Sequence, residues 1–214
     1  MKRTLTALAL ILGVASAAQA ATITNGSFEI GTDPGSYTTL NSVDSTSITG
    51  WTVGSGSIDY IGSYWQASDG NRSLDLTGVA KGSIFTTITD LIVGTAYKVY
   101  FDLSGNPDGQ PANKKLDVTL ANPLTTENYN YNVVTAGNSH ADMKWVTYVL
   151  DFVATSSTSV LTFAAGNGGG NGAACCYGPA LDNVRIAAVP VPAGGVLLLT
   201  GLAGMAALRR RKAI

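Results

Sequence analysis

The chain has 214 residues, and residues 21–188 carry 7 basic and 14 acidic groups because six of the 13 basic residues lie in the first three and last six positions. The net charge of residues 21–188 is therefore −7. This charge argues against nucleic acid and anionic lipid as partners, since phosphate binding requires clustered Lys and Arg. Residues 21–188 suffice for one domain with its own core, and their abundance of Gly, Ser, Thr and Asn is typical of an all-β module with many turns.

The N-terminus has the three parts of a secretory signal peptide. Lys2 and Arg3 precede an apolar run over residues 5–14, and residues 18–20 (Ala-Gln-Ala) supply the small side chains that signal peptidase accepts. Cleavage after this motif would leave the mature chain outside the cytoplasm. We therefore predict that residues 1–20 are a signal peptide and that the protein is exported.

Alternation of apolar and polar residues with period 2 indicates strands throughout residues 21–188. Residues 97–103 show it most clearly, because Tyr97, Val99 and Phe101 would share one face of a half-buried strand. The other candidates are residues 51–53, 57–61, 72–76, 83–88, 115–121, 144–154, 159–165 and 181–187. Turn residues separate these runs, and helical periodicity is not sustained over a useful length. About nine such strands predict an all-β domain, a two-sheet antiparallel β-sandwich of the jelly-roll type.

Catalytic chemistry finds little support in the sequence. A nucleophilic triad needs a base, and the single histidine, His140, lies in a polar stretch without a GxSxG motif, so we interpret it as an exposed loop residue. Glycosidase chemistry needs two carboxylates across a cleft, and among 14 acidic residues such a pair could be chosen almost anywhere, so the acidic residues are uninformative here. The adjacent Cys175 and Cys176 leave three states open: thiols, a strained vicinal disulfide, or cross-links to another chain. We predict that the protein is not an enzyme.

Short motifs near both ends of the central region resemble a known family. Residues 25–29 (NGSFE) and 178–186 (GPALDNVRI), with 50–51 (GW) and 69–76 (DGNRSLDL), are similar to the galactose-binding-like jelly rolls. The resemblance is closest to the bacterial "choice-of-anchor C" proteins and the related plant cell-wall family of unknown function. The xylan- and glucan-binding modules resemble the chain less closely. This resemblance covers residues 22–187 and implies a galactose-binding-domain-like sandwich.

The same resemblance implies a structural calcium ion. In the carbohydrate-binding relatives an early Glu and a late Asp often meet at the ion, because the first and last strands lie side by side. By position these residues are Glu29 and Asp182, and main-chain carbonyls would complete the oxygen shell that a hard cation requires. The alternative is that the two carboxylates only cap strand ends.

One segment combines aromatic and polar residues as a sugar site would. Sugar binding needs flat aromatic faces for the ring and a few polar groups for the hydroxyls. The candidate carbohydrate-binding residues, in a predicted loop, are Tyr64, Trp65, Gln66 and Asp69. Trp51 and Trp145 are better explained as core residues, whereas for Trp65 core and ligand platform are equally open.

The C-terminal residues 189–214 form a separate signal. A proline motif consists of Val189, Pro190, Val191, Pro192, Ala193, Gly194 and Gly195, and a basic cluster consists of Arg209, Arg210, Arg211 and Lys212. The apolar stretch over residues 193–208 has about 16 residues, roughly 24 Å as a helix, against a hydrocarbon core of about 30 Å. Because the basic cluster would stay on the cytoplasmic side, we predict transient membrane insertion through this helix.

This order of motif, apolar helix and arginine cluster resembles the PEP-CTERM class of bacterial sorting signals. The motif is similar to the VPLPA variant, with Val191 where that variant usually has Leu. The resemblance implies an exosortase-type membrane enzyme as a partner, which would cut near the motif and pass the protein to the envelope or the outside.

Together these features predict a secreted or cell-surface, non-catalytic β-sandwich protein of a Gram-negative-type bacterium. We expect it to pass through an inner-membrane stage and then to bind an extracellular polysaccharide in the outer envelope or matrix. The alternative is a structural or adhesive matrix protein without a sugar site. Exposure of Tyr64 and Trp65 together in a concavity would favour the first hypothesis.

Overall fold

The computed structural model describes residues 20–166 and 176–190, which form eleven strands and one short helix. The elements are β1 (Tyr37–Asn41), β2 (Thr52–Val53), β3 (Ser57–Ile61), β4 (Ser73–Asp75), β5 (Ser83–Ile88), β6 (Ala96–Gly105), β7 (Asn113–Ala121), β8 (Leu124–Asn132), α1 (Val133–Ala136), β9 (Val146–Val153), β10 (Ser159–Ala165) and β11 (Pro179–Ala188). All nine predicted strands are present. The strands β1 and β8 and the four-residue helix were not predicted.

The strands form two antiparallel sheets. The six-stranded sheet has the order β1-β3-β4-β11-β6-β9, and the five-stranded sheet has the order β2-β5-β10-β7-β8. The last strand therefore lies in the middle of the larger sheet, between β4 and β6. The N-terminal segment lies against it, because the N–H of Val184 donates a hydrogen bond to the carbonyl of Gly26 at 2.8 Å. This arrangement confirms the predicted two-sheet jelly-roll sandwich.

The main core fills the space between the sheets. Tyr97, Val99, Phe101 and Leu103 of β6 point into it and are at most 2 % exposed, as their period-2 spacing predicts. Trp51 is 2 % exposed in the same core, so its assignment as a core residue is confirmed. Burial of these large apolar side chains is the main contribution to the stability of the sandwich.

A second, smaller apolar cluster lies on the outer face of the six-stranded sheet. It consists of Ile61, Trp65, Met143 and Ala180, with Tyr64 and Trp145 packed against it. Tyr60, one position before Ile61, belongs to the main core, so the two clusters lie on opposite faces of β3. The loops that follow β3 and precede β9 therefore cover part of this face. Trp145 is half-buried here rather than in the main core.

Several expectations concern residues outside the described ranges. These include residues 1–19 of the predicted signal peptide, Cys175, most of the proline motif and the basic cluster. Val189 is described, and its N–H donates to the carbonyl of Ala96 at 2.8 Å, beside the start of β6. Within residues 20–166 and 176–190, no helix has the length and apolar character needed to cross a membrane.

Candidate functional site

A pocket of about 230 Å³ opens on the outer face of the six-stranded sheet. Alternate residues of a strand face opposite sides, so Leu74 points into the main core while its neighbour Asp75 faces outward into the pocket, as does Asp59 on β3. Three tyrosines also line it: Tyr37, Tyr64 and Tyr177. We refer to this site as the tyrosine pocket.

Two carboxylates lie side by side in the tyrosine pocket. Asp59 and Asp75 are directly opposite each other in the register of β3 and β4. Asp75 is fully buried and accepts hydrogen bonds from Asn106 Nδ2 and from the N–H groups of Thr77 and Gly178, at 2.8–2.9 Å. Burial raises the pKa of Asp75 to about 7. Burial also raises the pKa of Asp59, so the protein environment disfavours negative charge at both positions.

A third carboxylate, Asp108, connects two aromatic rings at the wall of the pocket. Its oxygens lie 2.8 Å from the hydroxyl of Tyr64 and 2.8 Å from Nε2 of His140. The ring centroids of Tyr64 and His140 are 4.5 Å apart. The hydrogen bond to Asp108 raises the pKa of Tyr64 to about 12, so its hydroxyl stays a donor. His140 is therefore half-buried and bonded, not the exposed loop residue that the sequence predicted.

A buried lysine holds two of the loops that form the pocket wall. Lys114 is 1 % exposed, and its Nζ donates to the carbonyls of Gly109 and Tyr177 at 2.7 and 2.9 Å. Burial lowers its pKa to about 8. A Cβ at Gly105 would lie 2.5 Å from Cγ of Lys114, so the chain needs a glycine there for the lysine to pass. Lys114 thereby positions the segments that carry Asp108 and Tyr177.

The predicted sugar-binding residues divide between different surroundings. Tyr64 and Trp65 both line the tyrosine pocket, but Trp65 is only 4 % exposed and its Nε1 donates to Ser73 Oγ at 2.8 Å. Trp65 is thus mainly a packing residue of the second cluster and not an exposed platform. Tyr64 and Trp65 are therefore not exposed together, and this criterion does not favour the sugar-binding hypothesis. Gln66 lines a wider depression of about 770 Å³ instead. Asp69 lines neither pocket, and its carboxylate accepts a hydrogen bond from the hydroxyl of Ser27 at 2.6 Å.

The predicted calcium ligands meet at a single loop, residues 68–72. Asp182 accepts hydrogen bonds from the N–H groups of the first two residues at 2.7 and 3.0 Å, and Glu29 from those of the last two at 2.8 and 2.7 Å. The two chain ends therefore converge as expected, but these carboxylates bind main-chain donors from opposite ends of the loop. Over the described part of the chain, no group of three or more His, Cys, Asp or Glu could hold a metal ion. Calcium binding here stays a prediction.

Most residues of the tyrosine pocket were not singled out from the sequence. Asp59 and Asp75 occupy polar positions of alternating strands, which normally face solvent, so their spacing gave no signal. Tyr37 lies on β1, which was itself not predicted. Asp108 and Tyr177 lie in turn-rich segments, where only the fold brings them together. An available signal was Lys114, which shares the inward face of an alternating strand with Leu116 and Val118.

Comparison with known proteins gives one curated relative and several solved structures. The chain is 33 % identical over 206 residues to halomucin from Haloquadratum walsbyi, covering 88 % of this chain and only 2 % of that protein. The CBM22-1 xylan-binding domain of Paenibacillus barcinonensis Xyn10C is 17 % identical, with a TM-score of 0.46, covering 72 % of this chain and 94 % of that one. A family 35 carbohydrate-binding module from Clostridium thermocellum is 12 % identical, with a TM-score of 0.42, covering 70 % of this chain and 90 % of that one.

A family assignment comes from the sequence of the sandwich itself. The family model described as "Protein of unknown function (DUF642)" matches residues 21–187. The match includes both terminal motifs of the sandwich and every strand of the two sheets except the last residue of β11. The chain therefore belongs to the DUF642 family.

Proposed function

We propose that this protein is an exported, non-catalytic glycan-binding protein whose saccharide ligand occupies the tyrosine pocket. The observation that carries the proposal is the placement of three tyrosine rings and three carboxylates around one pocket. Tyr37 and Tyr177 remain 50 % and 38 % exposed, so their rings are available to a ligand. Aromatic faces pack against the C–H faces of a sugar, while carboxylate and amide groups bind its hydroxyls.

The size and rigidity of the pocket fit this role. Its volume of about 230 Å³ lies below the range of about 300–1,000 Å³ for drug-sized ligands, so it suits one sugar unit or a chain end. Asp108 holds the ring of Tyr64, and Lys114 holds the main chain beside Tyr177. Groups already fixed in place lose little conformational entropy when a ligand binds.

Export and sorting form the second part of the proposal. The signal-peptide pattern of residues 1–20 supports export, and the likeness to a segment of halomucin supports an extracellular or cell-surface location. The C-terminal motif and basic cluster support processing by an exosortase-type enzyme after transient insertion, as the resemblance to the PEP-CTERM class implies. Mass spectrometry of the mature protein should find an N-terminus at Ala21 and a C-terminus within residues 189–195. Intact protein ending at Ile214 in the medium would contradict processing.

Glycan binding is tested with the purified full-length protein on a glycan array, followed by titration of any glycan that binds. Tyr37→Ala should weaken binding about tenfold, because stacking contacts of this kind contribute one to a few kcal/mol. The matched control is Tyr100→Ala, a half-exposed tyrosine of β6 that does not line the pocket. Equal binding by Tyr37→Ala and the unmodified protein would contradict the proposed site. Absence of binding to every glycan would favour the structural or adhesive matrix alternative.

A further inference from the structure

Among the described residues that line the tyrosine pocket, the ionisable groups include carboxyl groups and no basic side chain. Among the described residues that line it, Asp59, Asp75 and Asp108 are acidic, and none is Lys, Arg or His. The nearby Lys114 lies behind the wall, where two main-chain carbonyls bind its ammonium group. His140 binds Asp108 but does not line the pocket. A ligand in this pocket therefore meets an acidic surface.

The position of Asp59 leaves it able to bind a ligand. Its Oδ1 accepts a hydrogen bond from the hydroxyl of Thr39 at 2.6 Å, and no donor from the described residues binds its Oδ2. Asp75, opposite it in the sheet, adds a second carboxylate whose oxygens accept three hydrogen bonds from the protein. Burial disfavours the charged form of both groups, and a cationic group placed between them would favour their ionised forms.

The rest of the lining favours an organic cation over a metal ion. A hard cation requires six or more oxygen ligands, and the described chain offers no group of three or more acidic, His or Cys residues that could hold one. Tyrosine rings instead favour a ligand with both a cationic group and an apolar face. An amino sugar has both features in one unit.

Resting on the proposed glycan binding, we propose that the tyrosine pocket selects a saccharide with a free amine, whose ammonium group binds Asp59 and faces Asp75 while its ring packs on the tyrosines. A uronic acid or a sulfated sugar would be repelled by the same carboxylates. A neutral sugar would bind through hydroxyls alone and lose the charge-assisted hydrogen bond, which is roughly twice as strong as a neutral one.

The test compares three tetrasaccharides with the same β-1,4 linkage that differ only at C2: tetramers of glucosamine, N-acetylglucosamine and glucose. Each is titrated into the full-length protein under conditions that keep the amine protonated. We expect the glucosamine tetramer to bind at least about tenfold more tightly than the other two, and the difference to shrink as salt is added. This comparison uses the unmodified protein and so does not depend on how a variant folds.

Two variants locate the effect. Asp59→Asn should abolish the preference for the glucosamine tetramer, so that this tetramer binds no more tightly than the glucose tetramer does. Asp117→Asn is the control, since Asp117 is also half-buried and bonded to one side chain, but lies on the other sheet. It should leave all three affinities unchanged.

The outcomes separate this inference from the proposed function. If the glucose tetramer binds as tightly as the glucosamine tetramer, glycan binding stands and the selection of an amine is wrong. The same conclusion follows if Asp59→Asn binds the glucosamine tetramer as well as the unmodified protein does. If no tetramer binds and no glycan is bound on the array, the proposed function itself fails.

Discussion

Replacing Trp65 by alanine should destabilise the protein strongly, because this side chain fills the second cluster between the outer sheet face and its covering loops. The indole packs with Ile61, Met143 and Ala180 and is only 4 % exposed. Its Nε1 also donates to Ser73 Oγ, which is fully buried. Truncation of a tryptophan in an exposed loop would have little effect on folding. Because Trp65 is buried, we expect the opposite result.

The magnitude follows from two contributions. Truncation of a buried tryptophan to alanine costs about 3–5 kcal/mol through lost packing and the cavity that remains. Loss of the donor to the buried Ser73 hydroxyl adds about 1 kcal/mol. For a domain of this size each kcal/mol lowers Tm by roughly 2–4 °C, so Trp65→Ala should melt roughly 10–20 °C below the unmodified protein.

Thermal melting followed by circular dichroism on three variants checks this reasoning. Trp65→Phe keeps part of the packing but loses the N–H donor, so its Tm should lie between those of the unmodified protein and Trp65→Ala. Tyr64→Ala removes a half-buried neighbour at the rim of the same cluster and should melt higher than Trp65→Ala. A Trp65→Ala protein that melts within about 3 °C of the unmodified protein would refute the buried position of the ring.

Three further predictions concern other parts of the sandwich. Stability should fall as pH rises from about 4 to about 7, because burial raises the pKa of Asp75 to about 7 and the folded protein therefore holds that proton more tightly than the unfolded chain. In melts across this range, Asp75→Asn should reduce the change in the free energy of unfolding with pH, by on the order of 4 kcal/mol at most. An unchanged pH dependence would contradict the assignment. If Glu29 and Asp182 hold calcium, a chelator should lower Tm and calcium should restore about 2.7 kcal/mol at a hundredfold excess over Kd. Equal melting with and without calcium, in both the unmodified protein and Asp182→Ala, would rule the site out. Tyr129→Phe and Tyr148→Phe should each cost about 1 kcal/mol in chemical denaturation, because each hydroxyl donates to the main chain of the edge strand in the opposite sheet, and unchanged midpoints would show that these bonds contribute nothing.

The strands of the sandwich could be predicted where one face is apolar. In β6 the residues that face the main core alternate from Tyr97 to Leu103, and the period alone identifies the strand. In β8 the same alternation is concealed, because Asn128 and Asn130 are poor strand residues and the inward positions are Tyr129 and Tyr131. Pairing of β8 with β7 along nine residues outweighs that local preference. In β1 the only buried residue is Leu40, too little for a pattern.

The site was less predictable because period 2 shows which residues share a face and not what covers that face. Ser73 and Asp75 occupy the outer positions of β4, yet both are fully buried beneath loops that are distant in the sequence. For Trp65, the polar neighbours in the sequence indicated an exposed loop. In the structure, Met143, 78 positions later, packs against it. The covering loops create both the second cluster and the tyrosine pocket, and their positions are set by tertiary contacts.

The motifs that carry the family resemblance serve the framework more than the pocket. A Cβ at Gly26 would lie 1.8 Å from the carbonyl oxygen of Val184, so the first motif needs a glycine where the chain ends meet. The N–H of Gly178 donates a hydrogen bond to Oδ1 of Asp75, and a Cβ at Gly178 would lie 2.3 Å from that oxygen. The last motif therefore needs a glycine where its main chain binds the buried carboxylate. Most of the tyrosine pocket, including Tyr37, comes from segments outside those motifs. Under the proposed function, Asp75 is the one pocket residue that belongs to these motifs, and the other residues that would contact a ligand lie outside them.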